Sequence, residues 1–115
     1  MKLIVNKLDF SDDGYCTIAL QIGADFHVVR LAVKCEDGVQ RLEDVEPWLR
    51  DLLFLSNVTR NFAVDIIMAR EHGSIELPRA YDVAKFSDLS AVARDLKSGI
   101  PASEVNRKYR NAASQ

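Results

Sequence analysis

Cysteine, proline and glycine are all scarce in this chain: two, three and five residues among 115. Two cysteines, Cys16 and Cys35, cannot build the disulfide framework of a small secreted domain. The scattered glycines form no phosphate-cradling loop, so nucleotide chemistry of the P-loop or dinucleotide kind is not indicated. His27 and His72, taken with the cysteines, show none of the close spacings of a zinc finger or a metalloprotease helix. No metal and no other cofactor is expected. No apolar run approaches the ~18 residues of a membrane span. No basic segment leads into a long apolar stretch, so a signal peptide is not expected and a reducing cytoplasm is.

What remains is an ordinary globular balance of 48% apolar and 28% charged residues. A chain of this mass buries about two-thirds of its unfolded surface, enough for one core without staples. The expectation is a single α+β domain over residues 1–110, with residues 111–115 a frayed tail.

The first third reads as a three-stranded antiparallel meander. Leu3 to Phe10 is the first strand, and Ser11-Asp12-Asp13-Gly14 carries turn chemistry. Tyr15 to Ile22 alternates Cys16, Ile18, Leu20 and Ile22 onto one face. Phe26 to Cys35 does the same with Val29, Leu31, Val33 and Cys35, and Glu36-Asp37-Gly38 ends it. A one-residue slip flips a whole face, so the last two strands must pair with an odd index sum. A four-residue loop then sets Leu20 opposite Val29 and Ile18 opposite Leu31. Cys16 falls opposite Val33, with Cys35 near Gly14. On the first strand Ile4, Leu8 and Phe10 form the matching face, with Leu8 opposite Ile18 and Asn6 beside Leu20.

A helix begins at Pro47 and lays Trp48, Leu49, Leu52, Leu53 and Leu55 across this sheet. Residues 59–73 suit either a helix ending at Gly73 or a buried strand and hairpin, and the helix is preferred. Ile75 to Pro78 reads as extended, because proline disfavours helix just before it. Ser87 or Asp88 caps a helix through Lys97, which Gly99 stops, and Pro101 opens a short helix holding Val105 and Tyr109. The C-terminal third is therefore helical.

No catalytic constellation is evident. Cys16 and Cys35 sit on apolar strand faces, where a thiol acts as a small hydrophobe. Asp65 is the one carboxylate inside an apolar run, Phe62 to Met68, and would need a histidine in the same pocket to act as a base. Charge is more informative. Net charge is −2, yet residues 94–110 carry five basic residues against two acidic ones. Asp12, Asp13, Asp37 and Asp44 instead crowd the turns of an acidic body.

Two functions follow from this asymmetry. The first is a small non-enzymatic protein-binding module that masks a basic macromolecular partner, such as a bacterial or phage-type inhibitor or an immunity protein neutralising a toxin. Its binding residues would be Asp12, Asp13, Asp37 and Asp44. The second rests on residues 88–110. Small Ala93, the Gly99 turn, and Ile100 and Val105 five apart resemble two helices of a helix-turn-helix, with a turn two residues longer than usual. That resemblance implies nucleic-acid binding through Arg94, Lys97, Arg107, Lys108 and Arg110. An αα-hairpin with a glycine turn has no need of a nucleic acid.

Overall fold

The computed structural model describes residues 1–73 and 75–111. Its chain order is β1 (Lys2–Phe10), β2 (Tyr15–Ile22), β3 (Asp25–Glu36), β4 (Val39–Glu43), α1 (Pro47–Leu55), α2 (Thr59–His72), β5 (Arg79–Asp82), α3 (Leu89–Lys97) and α4 (Ala102–Tyr109). The expected meander is there as β1 to β3, but the sheet has five antiparallel strands in the order β4-β3-β2-β1-β5. β4 extends the meander through a two-residue turn, Asp37 and Gly38, both at positive φ. β5 returns after α2 to pair with β1. The fold is thus α+β, with a wider sheet than three strands and with helices both in the middle and at the end.

β2 and β3 pair with an odd index sum, as expected, but in a register two residues from the expected one. Ile18 faces Val29, Leu20 faces His27, and Cys16 faces Leu31 rather than Val33. Parity fixes register only in steps of two. The loop decides between those steps, and Gly23-Ala24 turns in two residues instead of four. Leu8 faces Ile18 as expected. A bulge between Val5 and Lys7 then absorbs Asn6, so Val5 faces Leu20. The bulge also changes the buried set of β1 to Leu3 and Val5, while Ile4 points to the other face and Phe10 is 36% exposed. Cys35 lies beyond the covered part of the sheet, opposite Gln40, and is exposed.

Leu3, Val5, Ile18, Leu20, Ile22, Val29 and Leu31 form one face with almost no exposure. The helices cover that face. α1 brings Trp48, Leu49 and Leu52, and α3 brings Leu89, Val92 and Ala93. Segment 59–73 is the helix α2, and Gly73 ends it at φ 83. This helix touches both edges of the sheet. Asp65 bonds Arg79 and Tyr81 of β5, while Glu71 bonds Gln40 of β4 and Arg70 donates to the Val33 carbonyl at 2.7 Å. The sheet is curled around α2, with Phe62 and Ile66 fully buried inside.

Asp88 caps α3 by accepting from the Ala91 N–H at 3.1 Å. α4 packs back with Val105 fully buried. Its end is fastened to the strand-like segment before α3: Ser87 N donates to the Tyr109 carbonyl, and Asn111 bonds both Lys85 and Ala84. Asn111 is therefore held in place, and the rest of the expected tail, residues 112–115, lies outside the described residues. No single helix among the described residues is long and apolar enough to cross a membrane.

Candidate functional site

All helices lie on one face of the sheet, so the opposite face is open. Its residues are the alternates of the buried set: Tyr15, Thr17, Ala19 and Gln21 on β2, and Phe26, Val28, Arg30 and Lys34 on β3, with Ala32 on the same side but buried. Near the β2–β3 turn, Phe26 and Val28 stand side by side at 74% and 75% exposure. Toward the β1–β2 turn the same face becomes polar. The Arg30 guanidinium lies 3.9 Å from the centroid of the Tyr15 ring and pairs with Asp13 at 3.2 Å. Tyr15 Oη donates to Asp44 at 3.0 Å.

Two of the four expected acidic residues, Asp13 and Asp44, thus meet on this face through Tyr15 and Arg30. The Ser11 hydroxyl, the Tyr15 backbone N–H and the Arg30 charge together hold the Asp13 carboxyl below its usual range. The hydrogen bond to Asp44 raises the Tyr15 phenol. Asp12 is exposed in the same turn. Asp37 is not brought to them. It sits at the tip of the β3–β4 hairpin, four residues beyond Val33, which bonds Gly14. Along that hairpin the acids are matched by cations: Glu43 with Lys34 at 3.2 Å and Arg41 at 2.9 Å, and Glu36 with Arg41 at 2.8 Å. The open face is therefore a mixed-charge surface with an apolar end, not a uniformly acidic one.

The basic residues of α3 and α4 do not form one array. Arg94 pairs with Asp25 at 3.3 Å. Lys97 lies 3.5 Å from His27 Nδ1 and 5.3 Å from the Trp48 ring centroid. Lys108 pairs with Asp95, which also accepts from Tyr109 Oη at 2.6 Å. Backbone bridging joins Arg110 to Phe86. Arg107 is exposed on α4.

Asp65 lines an open cleft of about 550 Å³ between α2 and β5, beside Arg60, Asn61, Arg79 and Tyr81. Its carboxylate takes Tyr81 Oη at 2.5 Å and Arg79 Nε at 2.9 Å. Burial, then the bond to Asp65, raises the Tyr81 phenol far above its usual range. No histidine lines this cleft: His27 packs on Trp48, and His72 is exposed at the end of α2. The structure therefore joins Asp65 to a cation and a phenol, not to the base partner the sequence reading required. Cys16 is buried and its thiol is pushed up to about 11 by burial. Among the described residues no three His, Cys, Asp or Glu side chains are grouped to hold a metal.

Phe26 and Val28 were missed as site residues, although a signal was present. Both sit at alternate positions of a strand whose other alternates, Val29, Leu31 and Val33, already supply the core. A half-buried strand that is apolar on both sides has a surface to cover. The chain matches no protein-family model, no curated protein and no solved structure.

Proposed function

We propose that this chain is a non-enzymatic binding module of the cytoplasm that masks a macromolecular partner, in the manner of an immunity or inhibitor protein. One observation carries this reading: the sheet face free of helices, where exposed Phe26 and Val28 adjoin the Tyr15, Arg30, Asp13 and Asp44 cluster. An apolar anchor beside hydrogen-bonding and charged groups is the usual make-up of a protein interface. Exposed Asp12 adds to the acidic side of that surface, Asp37 stands apart at the tip of the β3–β4 hairpin, and a basic partner suits the acidic groups.

The test is affinity capture from the source cell in low salt, with the wild type beside a Phe26→Asp/Val28→Asp variant. One stoichiometric basic protein held by the wild type and lost by the variant is expected. Charge reversal at Asp12, Asp13, Asp37 and Asp44 should then slow its association by roughly ten-fold at low ionic strength. Equal capture by the face variant overturns the reading. The alternative is a regulatory nucleic-acid-binding role for residues 88–110. It has less support, because Arg94, Lys97 and Lys108 are engaged by neighbours within the fold. Nuclease-sensitive material in the eluate, lost on changing Arg107, Lys108 and Arg110 to Ala, would favour it instead.

A further inference from the structure

The two edges of the sheet are not equivalent. At β5 the edge is four residues long, follows directly on Pro78, and has Arg79 drawn onto Asp65. A proline at its start is an ordinary way of blunting an edge; length does not separate the two, since β4 has five residues. β4 has neither proline nor bulge, and it continues a regular two-residue hairpin. In such a hairpin Glu36 and Val39 form the closing hydrogen-bonded pair, and the pattern alternates from there. Val39, Arg41 and Glu43 therefore spend their N–H and C=O groups on β3. Those of Gln40 and Leu42 point outward from the edge strand, with no further strand beside them among the described residues.

We propose that β4 is a self-association edge, pairing antiparallel with β4 of a second copy of this chain about a two-fold axis at Leu42. Register and charge together select this axis. A two-fold axis normal to the sheet keeps both helical layers on one side, and residues directly opposite each other must share a face. The axis can then pass only through a residue. Centred on Arg41, it sets two guanidinium groups opposite each other, which is unfavourable. Centred on Gln40, it sets Arg41 opposite Val39 and leaves Glu43 unmatched. Centred on Leu42, it sets Arg41 of each copy opposite Glu43 of the other, twice. Leu42 and its copy exchange their outward N–H and C=O bonds. The Arg41–Glu43 pairs then fall in the non-hydrogen-bonded positions, where side chains come closest.

The layer beneath supports the same occupant. An apolar groove of about 350 Å³ runs under β4, lined by Leu42, Val45, Leu53, Phe62, Ala63 and Ile67. Leu42 of the second copy, on the same face beside it, extends over this groove. Arg41 already contacts Glu36 and Glu43 of its own hairpin at 57% side-chain exposure, so it can share Glu43 across the axis without a new buried charge.

Sedimentation equilibrium of the full chain, at low and at high salt, tests this with a charge-swap set. The wild type should sediment at twice 12.9 kDa in low salt and dissociate as salt rises. Arg41→Glu and Glu43→Arg should each weaken the dimer roughly ten-fold or more, with circular dichroism unchanged. An equimolar mixture of the two variants should recover a heterodimer, because one copy then offers only acids and the other only bases at these positions. A wild type that stays monomeric throughout overturns the proposal. So does a dimer that both reversals leave intact, or a mixture that fails to associate.

Discussion

The hydroxyl of Ser90, on α3, stands where a side chain on Gly23 would have to begin. Gly23 turns the chain from β2 to β3 at φ +60, and a Cβ there would overlap Ser90 Oγ and lie 3.2 Å from the Ser90 backbone nitrogen. The same hydroxyl donates to the Ile22 carbonyl at 3.1 Å and accepts from the Ala24 N–H at 2.9 Å. One serine thus closes the backbone groups of a tight turn and docks it on a helix. Gly23→Ala should lose about 2–4 kcal/mol, from overpacking plus the left-handed conformation. Ser90→Ala should lose about 1–3 kcal/mol, by stranding the two turn groups. The double variant should lose less than the sum of the two, because both changes act on the same small volume. Urea denaturation of the four proteins measures this, and strict additivity would contradict it.

That clamp also shows how far the fold was legible. Gly23 was readable as a turn, and Ser87 or Asp88 as a cap, from residue type alone. That α3 supplies the serine closing the turn depends on a contact between residues 23 and 90, which no local pattern encodes. β4 and β5 escaped notice for a related reason. Among their residues, only Tyr81 is buried and only Leu42 packs partly on the core, so neither strand shows an alternating apolar set. α1 and α3 were plain because Trp48 to Leu55 and Leu89 to Leu96 repeat their apolar residues at helical spacing, whereas the short apolar run within residues 59–73 suited a strand as well as a helix. As for the site, the turn aspartates were visible as a group. The cation that Asp13 meets was not, since Arg30 reaches it only across strands, as Lys34 reaches Glu43.

Tyr81 should be worth more to the fold than the ion pair beside it. Arg79 is half exposed, so its pairing with Asp65 is screened by water. Tyr81 is buried, packs on Phe62 with ring centroids 6.1 Å apart, and gives Asp65 its shortest bond. Tyr81→Phe should lose roughly 1–2 kcal/mol in urea denaturation, and Arg79→Ala should lose less than Tyr81→Phe does. A reversed order would mean that the guanidinium, not the phenol, holds β5 to α2.

The two thiols should differ sharply in reactivity. Cys16 is fully buried, and burial raises its pKa to about 11, so almost no thiolate forms near neutral pH. Cys35 is exposed on the β3–β4 hairpin. A disulfide-exchange reagent should titrate one thiol rapidly in the native protein and the second only at the rate of unfolding. Cys35→Ser should abolish the rapid phase. Two rapid thiols in the native wild type would show that β2 opens at Cys16 far more often than its burial implies.

His27 should make the protein sensitive to mild acid. Its ring packs on Trp48 with centroids 5.2 Å apart, and its buried Nε2 has no partner among the described residues. Burial first, and then the Lys97 charge from α3, hold its pKa below the ordinary value, while Asp25 opposes them weakly. In the unfolded chain His27 titrates near 6.5. As pH falls through about 6.5 the unfolded state takes up a proton that the native state still refuses. Stability is therefore full above that pH and declines below it, until the depressed native pKa is reached. The carboxylates Asp13, Glu43 and Asp95 are held low by their partners and weaken the fold only in stronger acid. Between about pH 7 and pH 5 the denaturation midpoint should thus fall for the wild type and fall less for His27→Gln. Trp48 is the sole tryptophan, so its emission reports the same event directly. Its pH dependence in that window should vanish in the variant, and a dependence that persists would place the titrating group elsewhere.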